Sequence, residues 1–293
     1  MRYSIITDQV DEDLERALAK IQSEGLREVE LHNVFGKTIE QCDDEEVERI
    51  RTLLKQYGMR VSSIASTIFF LCPLYEGDQV SLFNPSFYTI EGDADAHLEY
   101  ARRACRIAKA LGAPVVRAFP FRAPDNRKGP YGTDADFERI VAQMRRLAAI
   151  AEEERVVIAI ENCPYSHLPK GEMTLKLWKA VQSDWIRLLW DPANSFRAEI
   201  KQVPGQYQSW TLEEEAKRLL PMIAHIHIKD YSIDVSQAKP FVHEVLGQGD
   251  IDFPAVLRVL KEGGYTGALS LEPEVDAEGA IECIRQLKAM AEL

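Results

Sequence analysis

The sequence lacks the patterns that mark several classes of protein. Its cysteines are scattered, odd in number and without a CxxC pair, which favours reduced thiols over a disulfide framework. They are Cys42, Cys72, Cys105, Cys163 and Cys283. No apolar run is long enough to span a membrane, and the opening MRYSIITDQVDED has no apolar segment of the kind that directs secretion. The sequence therefore predicts a cytoplasmic protein with no membrane partner.

Positive charge is in short supply. The 293 residues include 35 lysines and arginines against 47 aspartates and glutamates, a formal net charge of −12. No stretch gathers lysine and arginine without acidic neighbours, so the surface is expected to repel phosphate backbones, and we predict no nucleic-acid partner. No cluster of arginines along the sequence marks a phosphate site. Glycine-rich phosphate loops are missing as well, because TDQVDED after the first aliphatic run contains neither GxGxxG nor GxxxxGK.

Short aliphatic runs do occur, and they alternate with amphipathic helical stretches from end to end. Near-continuous apolar runs between helices are typical of a parallel sheet covered by those helices. Eight strands are predicted: Tyr3–Thr7, Glu28–His32, Arg60–Ala65, Pro114–Phe119, Val156–Glu161, Ile186–Asp191, Ile223–Lys229 and Ala268–Glu272. Eight β-then-α units without a shift in composition predict an α/β fold, a single (β/α)8 TIM barrel domain over residues 1–293, with an open doubly wound sheet as the alternative.

The connection after the third predicted strand, residues 66–92, is unusually long and rich in large apolar side chains. They are Phe69, Phe70, Leu71, Tyr75, Phe83, Phe87 and Tyr88. A long connection without regular periodicity is usually functional in a compact domain, and its position after a strand places it at the catalytic mouth of a barrel. Two interpretations stay open: a lid over a small-molecule pocket, or a contact surface in a homo-oligomer.

Four predicted strands end in, or contain, a side chain that commonly binds metal. Glu161 ends VIAIE, Asp191 ends LLWD, His227 lies within HIHIKD, and Glu272 ends LSLE. The carboxyl ends of barrel strands converge on one mouth, and these are the last four strands in sequence, so the four side chains are expected to be neighbours. The alternative for each acid taken alone is that it caps the following helix or pairs with a lysine or arginine.

Three carboxylates and one imidazole make an oxygen-rich donor set. Such a set favours Mn²⁺, Mg²⁺ or Co²⁺ as one bound divalent ion, although zinc has the affinity to occupy it. Three acidic side chains brought together without a cation would cost several kcal/mol or force protonation. The sequence therefore predicts a metal site formed by Glu161, Asp191, His227 and Glu272.

Several phrases along the whole chain resemble a known family. VELHN, AIENCP, LWDPAN, HIHIKD, LSLEPE and GQGDIDF are similar to those of the xylose isomerase-like TIM barrels, the sugar phosphate isomerase/epimerase superfamily. The resemblance implies that the same four residues are the metal ligands and that Glu161 and Glu272 also act as the catalytic acid and base. It implies an enzyme acting on a small sugar-like molecule.

The resemblance is weaker around the expected substrate. The epimerases of the family carry a histidine three residues after the aspartate, an arginine six residues after the ligand histidine, and a glutamate six residues after the first ligand glutamate. Here these positions hold Asn194, Ile233 and His167. We predict that Asn194 and His167 contact substrate, with an ordinary loop position as the alternative for His167. The metal shell is retained while the substrate shell differs.

Two further residues of HIHIKD share the face of His227. Lys229 is predicted to bind substrate by polarising a carbonyl or holding an anionic group, and the alternative is a lysine that pairs with Asp230. His225 is predicted to be a buried, hydrogen-bonded barrel residue rather than a second ligand.

These features predict a metal-dependent isomerase or epimerase of a small sugar or keto-polyol, working by proton transfer through a metal-stabilised enediolate. The alternative is a lyase that dehydrates an inosose-like or 3-keto-sugar substrate. A non-catalytic sugar-binding barrel is less favoured because all four ligands are intact. The DNA-repair branch of the superfamily, the endonuclease IV type, is disfavoured because it uses several more histidines, which IASTIFF and RAFPF lack.

Overall fold

Eight parallel strands form one sheet in the computed structural model, which describes residues 1–82, 87–129, 132–198, 203–237 and 240–292. The strands are β1 (Arg2–Ile5), β2 (Glu28–Leu31), β3 (Arg60–Ile68), β4 (Val115–Ala118), β5 (Val157–Glu161), β6 (Ile186–Trp190), β7 (Ile223–Ile228) and β8 (Ala268–Leu271). Their order is β1-β8-β7-β6-β5-β4-β3-β2, and a parallel bridge between Ile6 and Glu30 joins the two outer strands. The predicted barrel is confirmed, and the open-sheet alternative is wrong.

Helices surround the sheet. Those in the described residues are α1 (Leu14–Ser23), α2 (Asp44–Gln56), α3 (Ala94–Leu111), α4 (Asp134–Glu154), α5 (Gly171–Val181), α6 (Pro192–Ala198), α7 (Leu212–Leu219), α8 (Phe253–Glu262) and α9 (Ala277–Glu292). Their ends follow the local sequence: Thr211 and Glu214 form a capping box at α7, and Gly112 ends α3 in the left-handed conformation that favours glycine. Most of the hydrophobic core lies between the strands and these helices.

The inside of the barrel is small and partly polar. Val115, Ala159 and Leu189 form a separate apolar cluster there, in keeping with the two-residue period that turns alternate strand side chains inward. Ser4 and Ser62 share a hydrogen bond of 2.7 Å between their hydroxyl groups. The same period carries inward-facing side chains up to the mouth, where the carboxyl ends of the strands meet.

Two connections at this mouth are longer than the others. Strand β3 runs on to Ile68, beyond its predicted end, and no further helix or strand occurs in the described part of 69–93; Phe83 lies outside the described residues. After β7, the chain forms an antiparallel hairpin between Asp230–Ile233 and Phe241–Glu244, which the sequence analysis did not predict.

Other expectations concern the whole chain. All five cysteines are buried, and none of them forms a disulfide. Among the described residues, no helix combines the length and apolar character that crossing a bilayer demands.

Candidate metal centre

Four side chains at the carboxyl ends of β5 to β8 point to one place. Glu161, Asp191, His227 and Glu272 each offer a ligand atom, and these atoms all lie within 4.8 Å of one another. The side chains of Glu161, Asp191 and His227 are at most 2% exposed, and that of Glu272 is 13% exposed. The fold therefore brings these four side chains together, as the sequence predicts.

Two asparagines hold the carboxylates of β5 and β6 in position. The side-chain amide of Asn194 donates to Oε1 of Glu161 (3.0 Å), and its backbone N–H donates to Oδ1 of Asp191 (2.9 Å). Asn162 accepts from the backbone N–H of Asp191 (2.9 Å) and donates to its carbonyl (2.7 Å). The AIENCP and LWDPAN segments are thus joined by hydrogen bonds in both directions, because the asparagine of each segment bonds to the other segment.

Two buried cations offset part of the negative charge. Nη1 of Arg117 lies 2.9 Å from Oε1 of Glu272 and 3.2 Å from Oε2 of Glu161. The same guanidinium donates to the backbone carbonyls of Ala65 and Ser66, both at 3.1 Å, which fixes its position. Nζ of Lys229 lies 2.8 Å from Glu272.

Lys229 also lies 3.1 Å from Oδ2 of Asp191 and 3.3 Å from Oε1 of Glu274. The alternative pairing with Asp230 is not formed in the structure. The carboxylate of Asp230 instead accepts from the backbone N–H groups of Gly247 and Gly249 at 2.9 and 3.1 Å, so it ties down the GQGDIDF segment.

A fully buried carboxylate orients the histidine ligand. Oε2 of Glu30 lies 2.9 Å from Nε2 of His225 and 3.1 Å from Nε2 of His227. A proton on Nε2 of His227 leaves Nδ1 as a lone-pair donor toward the carboxylates, which is the common arrangement of metal-bound histidines. His225 is a hydrogen-bonded barrel residue, as predicted.

The electrostatics of the site favour an additional positive charge. Nδ1 of His227 is buried without a hydrogen-bond partner among the described residues, 3.4 Å from Glu272 and 3.6 Å from Glu161. Burial lowers the pKa of His227, but the surrounding carboxylates, that of Glu30 foremost, outweigh this and hold it well above its ordinary value. Burial raises the pKa of Asp191 although Lys229 opposes the shift. A histidine nitrogen without a hydrogen-bond partner, beside three incompletely neutralised carboxylates, fits a divalent cation that would take the place of the proton.

A partly open cavity of about 170 Å³ borders these residues. One wall is aromatic and includes Phe70 and Phe87 of the loop after β3, together with Phe119, Tyr165 and Tyr231. The other lining side chains are mainly charged: Arg117, Arg122, Glu161, Arg197, Lys229, Glu272 and Glu274. A cavity of this size accepts a small molecule rather than a polymer.

The predicted substrate residues separate into two groups. Asn194 and Lys229 line the cavity. His167 is buried elsewhere, with Nδ1 3.5 Å from Oδ2 of Asp136 and its backbone N–H bonded to the carbonyl of Phe121 (3.1 Å). It is not among the described residues that line the cavity, because the segment after β5 folds back against the segment after β4. The structure therefore does not support His167 as a substrate contact.

Sequence reasoning missed five charged residues of this site: Glu30, Arg117, Arg122, Arg197 and Glu274. Glu30 and Arg117 lie within buried strands, EVEL and VVRA, and a charge inside a buried strand was the available signal. Arg122 and Arg197 lie in connections with no such pattern. Only the fold brings them to the cavity.

The sequence of this chain is similar to those of known proteins. The family described as xylose isomerase-like TIM barrel matches residues 18–290. An inosose dehydratase of Yersinia enterocolitica is 27% identical over 183 residues, which cover 55% of this chain and 58% of the relative. The aligned part thus spans little more than half the length of that curated relative.

Two solved structures are similar in fold. An L-ribulose 3-epimerase has a TM-score of 0.71 and 18% identity over 99% of this chain and 94% of its own. The IolI protein with a bound zinc atom has a TM-score of 0.71 and 17% identity over 100% of this chain and 98% of its own. Together with the family match over most of its length, this architecture identifies the chain as a member of the xylose isomerase-like TIM barrel family.

Proposed function

We propose that this protein is a divalent-metal-dependent enzyme that transfers a proton next to the carbonyl group of a small sugar or keto-polyol, as an isomerase or epimerase does. The observation that carries the proposal is the arrangement of Glu161 and Glu272. Both offer an oxygen to Nη1 of Arg117, at 3.2 and 2.9 Å, and both line the same cavity. Two carboxylates held around one substrate-sized space suit a reaction that removes and returns a proton.

The metal would be held by Glu161, Asp191, His227 and Glu272. When bound, a divalent cation polarises a carbonyl and its neighbouring hydroxyl and so acidifies the C–H bond between them. Manganese, magnesium and cobalt suit the oxygen-rich donor set, and zinc also has the affinity for it.

The protein's own groups then handle the proton. Burial would raise the pKa of Glu272, but Lys229 and His227 outweigh this and hold it well below its ordinary value, so the carboxylate is ionised. In an epimerisation Glu161 would return a proton from the opposite face of the substrate, whereas in an isomerisation one carboxylate would move the proton between two carbons. Phe70 and Phe87 line the cavity, where their apolar rings would limit the access of water to a bound substrate.

A lyase is the second candidate, and Lys229 is the observation that favours it. Its ammonium group lies 2.8 Å from Oε2 of Glu272 and lines the cavity, where it can donate to a departing hydroxyl next to the base. In that reaction the C–H proton goes to the carboxylate, the C–O bond at the next carbon breaks, hydroxide gains a proton and leaves as water, and a C=C bond forms. Relatives named inosose dehydratase support this candidate.

The experiment is incubation of the metal-loaded protein with ketoses and keto-inositols in D₂O, followed by mass spectrometry. An isomerase or epimerase exchanges a carbon-bound hydrogen for deuterium without losing atoms, whereas a dehydratase yields a product lighter by one water. Elemental analysis of the same samples should find about one divalent metal ion per chain, bound at the four-residue site.

Matched variants make the test specific. Glu161→Gln and Glu272→Gln should lose metal and turnover, whereas Glu278→Gln, at an exposed position of α9, should retain both. Absence of bound metal after reconstitution, with all three variants alike, would refute the enzyme proposal.

A further inference from the structure

Two arginines line the cavity in addition to the pair of cations at the metal centre. Arg122 lies in the segment after β4, and Arg197 lies in the last turn of α6. They are 75 residues apart in sequence, so no cluster of arginines is visible before the chain folds.

The fold fixes both arginines around one aromatic ring. Arg122 is 2% exposed and its guanidinium carbon lies 5.0 Å from the ring centre of Tyr165, while that of Arg197 lies 4.7 Å from the same centre. A backbone bridge between Arg122 and Ser166, and a hydrogen bond of 2.8 Å from the N–H of Ala123 to the carbonyl of Tyr165, hold the two segments together. Tyr165 therefore supports two positive charges at one wall of the cavity.

The structural contacts of Arg197 leave part of its hydrogen-bonding capacity available. Its guanidinium lies over Tyr231 and Phe241 as well as Tyr165, and its Nη1 is 3.4 Å from the hydroxyl of Tyr231. Within the described ranges its Nε has no hydrogen-bond partner and its side chain forms no ion pair with a carboxylate. Stacking on rings leaves the edge of a guanidinium, with its N–H donors, available to a ligand.

We propose that Arg122 and Arg197 form an anion subsite, so that the substrate carries a carboxylate or phosphate group at the end remote from the carbonyl. The inference rests on the proposed function, since it assigns the carbonyl end to Glu161 and Glu272 in the same cavity. A planar guanidinium donates two parallel N–H groups to a carboxylate or phosphate, which gives both charge and geometry. The substrate class becomes an anionic keto-polyol, such as a sugar acid or a sugar phosphate, instead of a neutral sugar.

Three ligands that differ at one carbon test the subsite: D-fructose, D-fructuronate and D-fructose 6-phosphate. They present a hydroxyl, a carboxylate and a phosphate at the same position of one keto-sugar. Affinities are measured by isothermal titration calorimetry, once with added Mn²⁺ and once after EDTA treatment. Wild-type protein should bind at least one of the two anionic ligands about tenfold or more tightly than fructose, and the tighter of them identifies the anion.

The variants are Arg122→Gln, Arg197→Gln and, as a control, Arg127→Gln, whose guanidinium pairs with Asp78 outside the cavity lining. Arg122→Gln and Arg197→Gln should lower the affinity for the anionic ligand far more than the affinity for fructose and so remove the preference, and Arg127→Gln should keep the preference. If the buried Arg122→Gln variant does not fold, Arg197→Gln decides.

Equal affinity for the three ligands, including no measurable binding of any, overturns the subsite, and so does a preference that survives in Arg197→Gln. Failure of the proposed function has a different signature. In that case the anion preference persists in EDTA while metal binding and turnover are absent.

Discussion

Replacing Glu30 by glutamine changes one atom at the bottom of the candidate metal centre. The carboxylate is fully buried and accepts from His225 at 2.9 Å and from His227 at 3.1 Å through the same oxygen. Glutamine keeps one acceptor oxygen of nearly the same shape but removes the negative charge. The orientation of the His227 ring is then held by a weaker, neutral hydrogen bond, and its Nδ1 becomes a poorer donor.

The size of the effect follows from this geometry. Loss of a carboxylate behind a metal-bound histidine typically weakens metal binding about 10- to 100-fold, or about 1.4 to 2.8 kcal/mol. Because glutamine retains an acceptor, we expect Glu30→Gln to lie near the lower end, about a tenfold loss. The four ligand residues themselves remain in place, so binding should be weakened and not abolished.

The assay is competition for Mn²⁺ or Zn²⁺ against a chromophoric chelator, with the melting temperature of each metal-free protein as a check on folding. Glu28→Gln is the matched control, because Glu28 lies two residues earlier in β2 and pairs with Arg2 and Arg60 at 2.8 and 3.0 Å instead of with a histidine. That variant should lose stability and keep its metal affinity. Unchanged affinity in Glu30→Gln would refute the argument that Glu30 orients His227.

Three further predictions concern stability, each measured by thermal or urea unfolding. Gly249→Ala should cost about 1 to 3 kcal/mol, because an added Cβ would lie 2.2 Å from Oδ1 of Asp230. Burial lowers the pKa of His97 to about 4, so its neutral form stabilises the fold above about pH 6.5; up to about 3 kcal/mol should be lost as the pH falls toward 4, and His97→Asn should reduce that loss. Saturating Mn²⁺ should raise the melting temperature by about 5 °C, and Glu161→Gln should abolish the shift.

Each of these has its contrary result. Gly205→Ala, where an added Cβ meets nothing within 4 Å, serves as the control for Gly249→Ala, and equal losses would contradict the steric argument. An unchanged pH slope in His97→Asn would show that other groups titrate. A melting temperature insensitive to every divalent ion would argue against the metal site.

The barrel and its four metal-type side chains were accessible from sequence because they depend on local pattern. Apolar runs alternate with amphipathic stretches, and Glu161, Asp191 and Glu272 stand at the ends of three of those runs. The end of a parallel strand has a defined place in a barrel, so a position in sequence translates into a position in space.

The remainder of the site depends on tertiary contacts. Arg122 and Arg197 meet at Tyr165 because the connections after β4, β5 and β6 pack together, and no periodic pattern encodes that contact. His167 was predicted from its spacing after Glu161, but the connection that carries it turns toward Asp136. Loops carry few rules that relate spacing to direction, which is why the substrate shell was harder to predict than the metal shell.

The ion pairs of Arg117 and Lys229 with the candidate ligands have a consequence for how activity could be controlled in a cell. These internal cations would let the barrel fold around its three acidic side chains without the proposed metal ion, unlike small zinc domains that fold only with their ion. Loading and loss of the cation are then separated from synthesis and degradation of the chain. The number of active molecules at a given moment would then depend on the supply of free divalent ion and not on the amount of protein. Protein that had lost its ion would regain activity when the ion returned, without new translation.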